Sequence, residues 1–119
     1  MSNQALAARL RQAILDTDLA TIHGELFSSD VESIEPGFAP LPHAKGIEQV
    51  KAKANMFGGN IKELHSKAVS DQVIVTGKYI SLGMAFDFTA QDGSRHQMDE
   101  IVVYKVADGK IISEQFFYS

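Results

Sequence analysis

The chain has 119 residues, of which 45% are hydrophobic and 22% are charged, and it contains no cysteine. This length and composition predict one folded domain with its own core, and the lack of cysteine excludes disulfides and thiolate metal sites. The net charge of -4 comes without a basic stripe, so we expect no nucleic-acid partner. Four lysines are spread over one helix and its flanks and are predicted to face solvent: Lys45, Lys51, Lys53 and Lys62.

Membrane insertion and export are not indicated. No segment approaches the roughly 18 consecutive apolar residues of a membrane-spanning helix, and residues 1–11 lack the basic start and apolar run of a signal peptide. We expect a cytoplasmic protein.

Three helices are predicted in the first half of the chain, each from apolar residues at helical spacing. Breaks at residues 16–18, 28–30 and 58–59 separate them, and a short strand over 31–35 stops at Pro36 before a loop. The apolar positions are Leu6, Leu10, Ala13 and Ile14 in the first helix, Leu19, Ile22, Leu26 and Phe27 in the second, and Ile47, Val50, Ala54 and Phe57 in the third.

The second half is predicted to be a sheet, because apolar and polar residues alternate in long runs. The Asp92-Gly93 and Asp108-Gly109 pairs are typical of hairpin turns, which makes the strands antiparallel neighbours. The predicted strands cover residues 61–70, 73–90, 95–106 and 110–118. The whole chain, residues 1–119, is therefore interpreted as a single α+β domain with its helices on one face of the sheet.

Both faces of the last strands are apolar near their middle. Val102 and Tyr104 point to one side, and Ile101 and Val103 to the other. The helices cover only one face, so we expect a second copy of the chain to cover the other and form a homodimer through the sheet. Cover by the protein's own loops is the alternative.

Three segments resemble the nuclear transport factor 2-like superfamily, and within it the SnoaL-like and ketosteroid isomerase-like branch. They read DLATIHGELFSSDVESIEPG, GIEQVKAKANMF and DEIVVYKVADGKIISEQFFY. The resemblance implies a curved antiparallel sheet wrapped by three N-terminal helices into a cone, a cystatin-like α+β roll, which admits a small hydrophobic molecule. It does not imply one activity, because the superfamily includes isomerases, cyclases, dehydratases and noncatalytic binding domains.

Glu35 is the first candidate catalytic residue. A carboxylate before proline at this place resembles the base of ketosteroid isomerase-like proteins, which moves a proton next to a carbonyl. Burial beside apolar groups raises the pKa of a carboxyl toward neutrality, where a general base is most useful. A solvent-exposed glutamate at a strand end is the alternative interpretation.

The turn at Asp108-Gly109 decides which other acids face the pocket. A two-residue turn pairs Val106 with Ile111, whereas a three-residue loop that includes Ala107 pairs Val106 with Lys110. We favour the three-residue loop, which resembles the family's hairpins. It gathers acids and large apolar side chains on one face: Met98, Glu100, Val102, Tyr104, Ile112, Glu114, Phe116 and Tyr118.

On that face Glu100 and Glu114 are predicted to be diagonal neighbours, about 7 Å apart. Two acids so close in an apolar site do not both ionise easily, so one of them can donate a hydrogen bond to an oxyanion. Surface ion pairs with lysine are the alternative. Tyr104 and Tyr118 are further candidates for this catalytic role. The predicted ligand-binding residues are Leu10, Ile22, Phe27, Phe38, His43, Phe57, Met98, Val102, Glu114 and Phe116.

The sequence departs from the steroid isomerase pattern in two places. The first helix reads Ala8-Arg9-Leu10-Arg11 where that family carries a tyrosine, and the family's acidic oxyanion-hole position falls on Val102. A steroid isomerase proper is therefore not indicated.

The four histidines do not have the spacing of a zinc site, so we expect no metal. They are His23, His43, His65 and His96. The function predicted is cofactor-free proton transfer on a small hydrophobic carbonyl compound, of the isomerase, cyclase or dehydratase type. The alternative is a noncatalytic domain that binds a small molecule or supports dimerisation.

Overall fold

The computed structural model describes residues 1–119 and contains three helices. α1 spans Asn3–Leu15 and begins at Ser2, whose hydroxyl accepts a hydrogen bond from the backbone N–H of Ala5. α2 is a single turn, Leu19–Thr21, that continues as a π-helical turn over Ile22–Leu26. α3 spans Ile47–Gly59.

Seven strands form one mixed sheet, and the α+β class predicted from the sequence is confirmed. Their order is β2-β1-β7-β6-β5-β3, with the short β4 paired to β5. β1 and β7 are parallel, and the other pairs are antiparallel. The sheet is therefore mixed, whereas the sequence analysis predicted a purely antiparallel one. The strands are β1 (Phe27–Ile34), β2 (His43–Lys45), β3 (Ile61–Val69), β4 (Ile74–Thr76), β5 (Tyr79–Ala90), β6 (Arg95–Ala107) and β7 (Lys110–Phe117).

Three boundaries differ from the predictions. Phe27 opens β1 instead of ending a helix, because the π-helical turn finishes one residue earlier. The predicted strand over residues 73–90 is two strands, since Gly77 has a positive φ of 55° and turns the chain back. Residues His43–Lys45, predicted as loop, form β2 against β1.

The β6–β7 hairpin has the two-residue turn, so the favoured three-residue loop is wrong. Val106 pairs with Ile111, and both Asp108 and Gly109 have positive φ, as a type I′ turn requires. Ile112 is then a bulge on β7, because Val106 pairs with Ile111 whereas Lys105 pairs with Ser113. Beyond the bulge Val102, Tyr104, Glu114 and Phe116 share a face, as predicted. Next to the turn the fully buried residue is Ile111, so the predicted inward position of Ile112 is wrong.

The core lies between that inward face and the helices. Along β6 the even positions from Glu100 to Val106 are the buried ones, and Leu6 and Leu10 of α1, both fully buried, belong to the same core. Fully burying a leucine side chain contributes about 2 kcal/mol, which explains why an amphipathic helix can close this side of the sheet. The opposite, outer face keeps large apolar side chains accessible, with Ile101 51% and Phe117 50% exposed.

None of the three helices is long and apolar enough to cross a membrane.

Candidate functional site

Glu35 continues the inward alternation of β1. Val31 and Ser33 are fully buried, and two residues further along the Glu35 side chain is only 13% exposed. The residue is fixed at the strand end because its backbone N–H donates to the carbonyl of Pro42, 2.8 Å away, which closes the loop that begins at Pro36. The interpretation of Glu35 as a solvent-exposed strand-end glutamate is therefore wrong.

The two carboxylate oxygens of Glu35 have different surroundings. Oε1 accepts a hydrogen bond of 2.9 Å from the hydroxyl of Tyr118. Oε2 is buried and accepts no hydrogen bond, although Nζ of Lys53 lies 3.2 Å from it. Buried polar atoms of this kind are rare in native proteins and often mark a functional site. Glu35 thus has one oxygen held by the protein and one without a hydrogen-bond partner.

Lys53 is the cation of this site, and its predicted position on a solvent-facing surface is wrong. Its side chain is 14% exposed and projects inward from α3. Nζ donates to the hydroxyl of Ser33 at 2.5 Å and lies 4.8 Å from the centre of the Phe116 ring. An ammonium over an aromatic face and beside a carboxylate is stabilised by both.

Glu114 is brought to the same cluster by its two neighbours in the sheet. It is the cross-strand partner of Ser33 on β1 and of Tyr104 on β6. The residue is partly exposed, but its carboxyl group is enclosed, and burial raises its pKa to about 7, with a smaller contribution from Glu35. Lys53 and the Ser33 hydroxyl oppose this shift because both favour the charged form.

Glu100 faces the same interior from β6 and is 9% exposed. Burial raises its pKa to about 7, and the charges of Glu35 and Glu114 add to the shift. The predicted diagonal contact with Glu114 is wrong: Glu114 pairs with Tyr104 and Val102 pairs with Phe116, so Glu100 lies further along the strand. The charge of Glu114 nevertheless raises the pKa of Glu100, so the two acids belong to one electrostatic cluster.

The two candidate tyrosines are not equivalent. Tyr104 is 2% exposed, and its pKa is raised by burial and by Glu114 and Glu100, so it remains a neutral phenol of the core. Tyr118 lies closer to solvent but donates its proton to Glu35, and burial together with that hydrogen bond raises its pKa. Neither hydroxyl points freely into a pocket, so neither is placed to bind an oxyanion directly.

The predicted ligand-binding residues fall into two groups. Four belong to the packed core and are at most 7% exposed: Leu10, Ile22, Phe27 and Val102. Others form an apolar rim, where Phe38 packs edge-on against Tyr118 and Phe57 packs edge-on against Phe86. Met98, opposite Phe86 on β6, and Phe116, beneath Lys53, are partly exposed.

His43 does not line this site. It pairs with Ile34 in the β1–β2 ladder, and its Nε2 lies 3.1 Å from the Glu32 carboxylate, among exposed side chains. His96 stacks on Phe88 with ring centres 5.3 Å apart and contacts Ser94. No group of three or more His, Asp or Glu side chains is arranged to hold a metal ion.

Two residues of the cluster, Lys53 and Ser33, were missed by sequence reasoning. A signal for Lys53 existed: it follows Val50 by three residues and precedes Phe57 by four, so it lies on the apolar face of α3. Ser33 carried the alternation signal of a strand, between the buried Val31 and Glu35.

Two surface depressions have volumes of about 370 Å³ each. One is a groove around Gly83, Ala85 and Ile101 on the outer face of the sheet, and Glu100 is also among its lining residues. The other lies between α3 and the continuous segment formed by α2 and the π-helical turn. Beneath the rim, Nζ of Lys53 lies 4.8 Å from the centre of the Phe116 ring and 3.2 Å from Oε2 of Glu35, so the aromatic ring and the acid are both in contact with the same cation.

The sequence and the fold were compared with protein families, curated sequences and solved structures. A family model described as SnoaL-like domain matches residues 1–118. No curated protein sequence is significantly similar to the chain.

Solved structures are similar over the whole chain. A protein from Mesorhizobium loti, described as a proposed SnoaL-like polyketide cyclase and also as a carbohydrate phosphatase, has 28% identity and a TM-score of 0.90, with 99% of this chain and 100% of that chain covered. A protein of unknown function with a cystatin-like fold, from Xanthomonas campestris, has 21% identity and a TM-score of 0.78, with 100% of this chain and 92% of that chain covered. A proposed isomerase from Bacillus subtilis has 18% identity and a TM-score of 0.77, with 100% and 90% covered.

Proposed function

Since this chain belongs to the SnoaL-like domain family, we propose that its acidic cluster catalyses cofactor-free proton transfer on a small hydrophobic carbonyl compound. The observation that carries the proposal is the asymmetry of Glu35. Tyr118 holds Oε1, Lys53 lies 3.2 Å from Oε2, and Oε2 has no hydrogen-bond partner of its own. A general base needs this combination of fixed orientation and an oxygen free to accept a proton.

In the proposed reaction Oε2 of Glu35 removes a proton from the carbon next to the substrate carbonyl. The electron pair of that C–H bond moves to the carbonyl oxygen and forms an enolate. Return of the proton to a different carbon isomerises the substrate. Alternatively, the enolate carbon attacks a second carbonyl and closes a ring, and Glu35 then gives its proton to the alkoxide oxygen that the attack creates. Lys53 stabilises the ionised form of Glu35 before the transfer and the developing negative charge after it.

Glu100 is the proposed oxyanion partner. With a pKa of about 7, a large share of its carboxyl groups carries a proton at neutral pH. A protonated carboxylic acid in an apolar site donates a hydrogen bond to an enolate oxygen in other enzymes. Tyr118 and Tyr104 do not contact the substrate in this mechanism. The hydroxyl of Tyr118 donates its hydrogen bond to Glu35, and Tyr104 is enclosed beside Glu114.

The substrate is expected to be hydrophobic because the rim is. Phe38 is 68% exposed above Tyr118, and Phe57 is 38% exposed beside Phe86. Exposed aromatic side chains around a polar centre are typical of small-molecule sites. A noncatalytic binding domain is the second candidate, because the exposed rings of Phe38 and Phe57 could contact an apolar ligand without any proton transfer.

Proton transfer can be tested without knowing the natural substrate. In D2O the protein is expected to catalyse deuterium incorporation next to the carbonyl in a panel of apolar ketones, measured by NMR. Glu35→Gln should lower the exchange rate about a hundredfold or more, because it removes the general base. Glu48→Gln, which changes an α3 glutamate whose side chain is 87% exposed, is the matched control and should exchange like the wild type.

Two outcomes would overturn the proposal. Exchange that survives in Glu35→Gln would remove Glu35 from the mechanism. Binding of a ketone by the wild type without any exchange would establish the noncatalytic alternative.

We also propose that the outer face of the sheet pairs two copies of the chain. Ile101 and Phe117 are about half exposed there and border the groove around Gly83. Burying such apolar side chains against an identical face is the usual route to a symmetric dimer.

Light scattering over a range of protein concentrations tests this dimer. The wild type should be a dimer, and Ile101→Lys should be a monomer because it places a charge in the interface. Met56→Lys, at a 50% exposed position of α3 on the other side of the sheet, should leave the dimer intact. A wild type that stays monomeric at all concentrations would contradict the proposal.

A further inference from the structure

A cleft of about 370 Å³ lies between α3 and the continuous segment formed by α2 and the π-helical turn. It is separate from the acidic cluster, because Lys51 and Lys53 are two positions apart on α3 and project from nearly opposite sides of it. Six residues line the cleft: Leu19, Ala20, His23, Gly24, Lys51 and Asn55.

Each of the two walls of the cleft contributes a pair of residues that are four positions apart in the sequence. Leu19 and His23 are four positions apart on one wall, and Lys51 and Asn55 are four apart on the other. His23 belongs to the π-helical turn Ile22–Leu26. Such turns are rare, and they often reposition a side chain at a functional site.

Lys51 gives the cleft a positive charge, and His23 adds a second one when it is protonated. The two titratable side chains of the cleft are those of His23 and Lys51, and no acid is among its lining residues. Burial lowers the pKa of His23, and the charge of Lys51 lowers it further. The acid beside Lys51, Glu48, is 87% exposed and 4.0 Å away, so it compensates this charge only weakly.

We propose that this cleft binds the oxyanion group of a small molecule, a carboxylate or a phosphate. Lys51 and His23 contact its oxygens, and the side-chain amide of Asn55 donates a hydrogen bond. Leu19 and Ala20 contact an apolar part of the same molecule. The site is independent of the proton-transfer function and is tested separately from it.

The imidazole of His23 is the reporter, followed by NMR through a pH titration. Inorganic phosphate and butyrate are added in separate experiments, with chloride at the same ionic strength as the screening control. A bound anion should raise the pKa of His23 in a saturable way, whereas chloride should not. A response to butyrate alone identifies a carboxylate ligand, and a response to phosphate alone identifies a phosphate ligand.

Lys51→Gln should weaken anion binding about tenfold, the usual effect of losing one hydrogen bond to a charged group. The readout is the change in the His23 pKa when anion is added, because removal of Lys51 by itself also alters the starting value. Lys62→Gln, at an exposed position outside the cleft, should bind like the wild type. The proposal is overturned if chloride gives the same response or if Lys51→Gln binds as tightly as the wild type.

Discussion

Lys53→Met is expected to destabilise the protein by about 3 kcal/mol or more at pH 8, and by much less at pH 5. Methionine keeps an apolar stem over Phe116 but removes the ammonium that lowers the pKa of both Glu100 and Glu114. At pH 8 these acids and Glu35 would then share a buried site without their cation. At pH 5 both acids are largely protonated, since each has a pKa of about 7.

The free energy of unfolding in urea, measured at both pH values, tests this expectation. Lys51→Met is the matched control, two positions away on the same helix, where Lys51 is paired only with an exposed glutamate. Its stability should change by no more than about 0.5 kcal/mol. An equal loss at pH 5 and pH 8 in Lys53→Met would mean that the lysine contributes through packing and not through its charge.

Glu100→Gln is expected to stabilise the protein above pH 7. The pKa of Glu100 is raised from 4.5 to about 7 in the folded state, and each unit of difference corresponds to 1.36 kcal/mol, about 3 kcal/mol in all. Because the folded pKa is the higher one, the folded protein binds the proton more tightly. The contribution of Glu100 to the stability of the wild type is therefore greatest below pH 4.5, and it decreases as the pH rises to about 7.

The variant should lose part of this pH dependence. Glutamine stays neutral, so the free energy of unfolding should fall less steeply between pH 4.5 and 7, and the slope that remains belongs mainly to Glu114. Glu63→Gln, an exposed position on β3, should keep the wild-type profile. A wild-type stability that rises over this pH range, or a Glu100→Gln variant that is less stable than the wild type at pH 8, would contradict the prediction.

The order of elements was predictable because it depends on local signals. Helical spacing located α1 and α3, and the Asp-Gly pairs located the hairpins within one or two residues. The parallel pairing of β1 with β7 was not predictable in this way. It joins segments at opposite ends of the chain, and no local pattern records which strand a short segment will choose as its neighbour.

In the β6–β7 hairpin the turn was predicted wrongly, but the inward position of Glu114 was predicted correctly. The Asp108-Gly109 turn alone would place Tyr104 opposite Ser113 and turn Glu114 outward. The extra residue Ile112 on β7 shifts the register by one and restores Glu114 to the inward face. This bulge has no clear sequence signal, because isoleucine is an ordinary strand residue.

Lys53 was misassigned for a different reason. A lysine on a helix is usually solvated, and only the acids supplied by β1 and β7 make its burial favourable. Those acids are distant in sequence, so their effect on Lys53 becomes visible only when the sheet is assembled. The acids themselves were predictable because each stands at an inward position of a strand.

The parallel pairing of β1 with β7 also has a consequence for folding kinetics. The hydrogen bond between Tyr118 and Glu35 joins residues 83 positions apart, so the two sides of the acidic cluster meet only after a long loop has closed. The entropy of closing such a loop grows slowly with its length, whereas contacts of high sequence separation slow folding strongly. Formation of the acidic cluster therefore slows folding more than it lowers the free energy of unfolding. Its acids come together only when β1 and β7 pair.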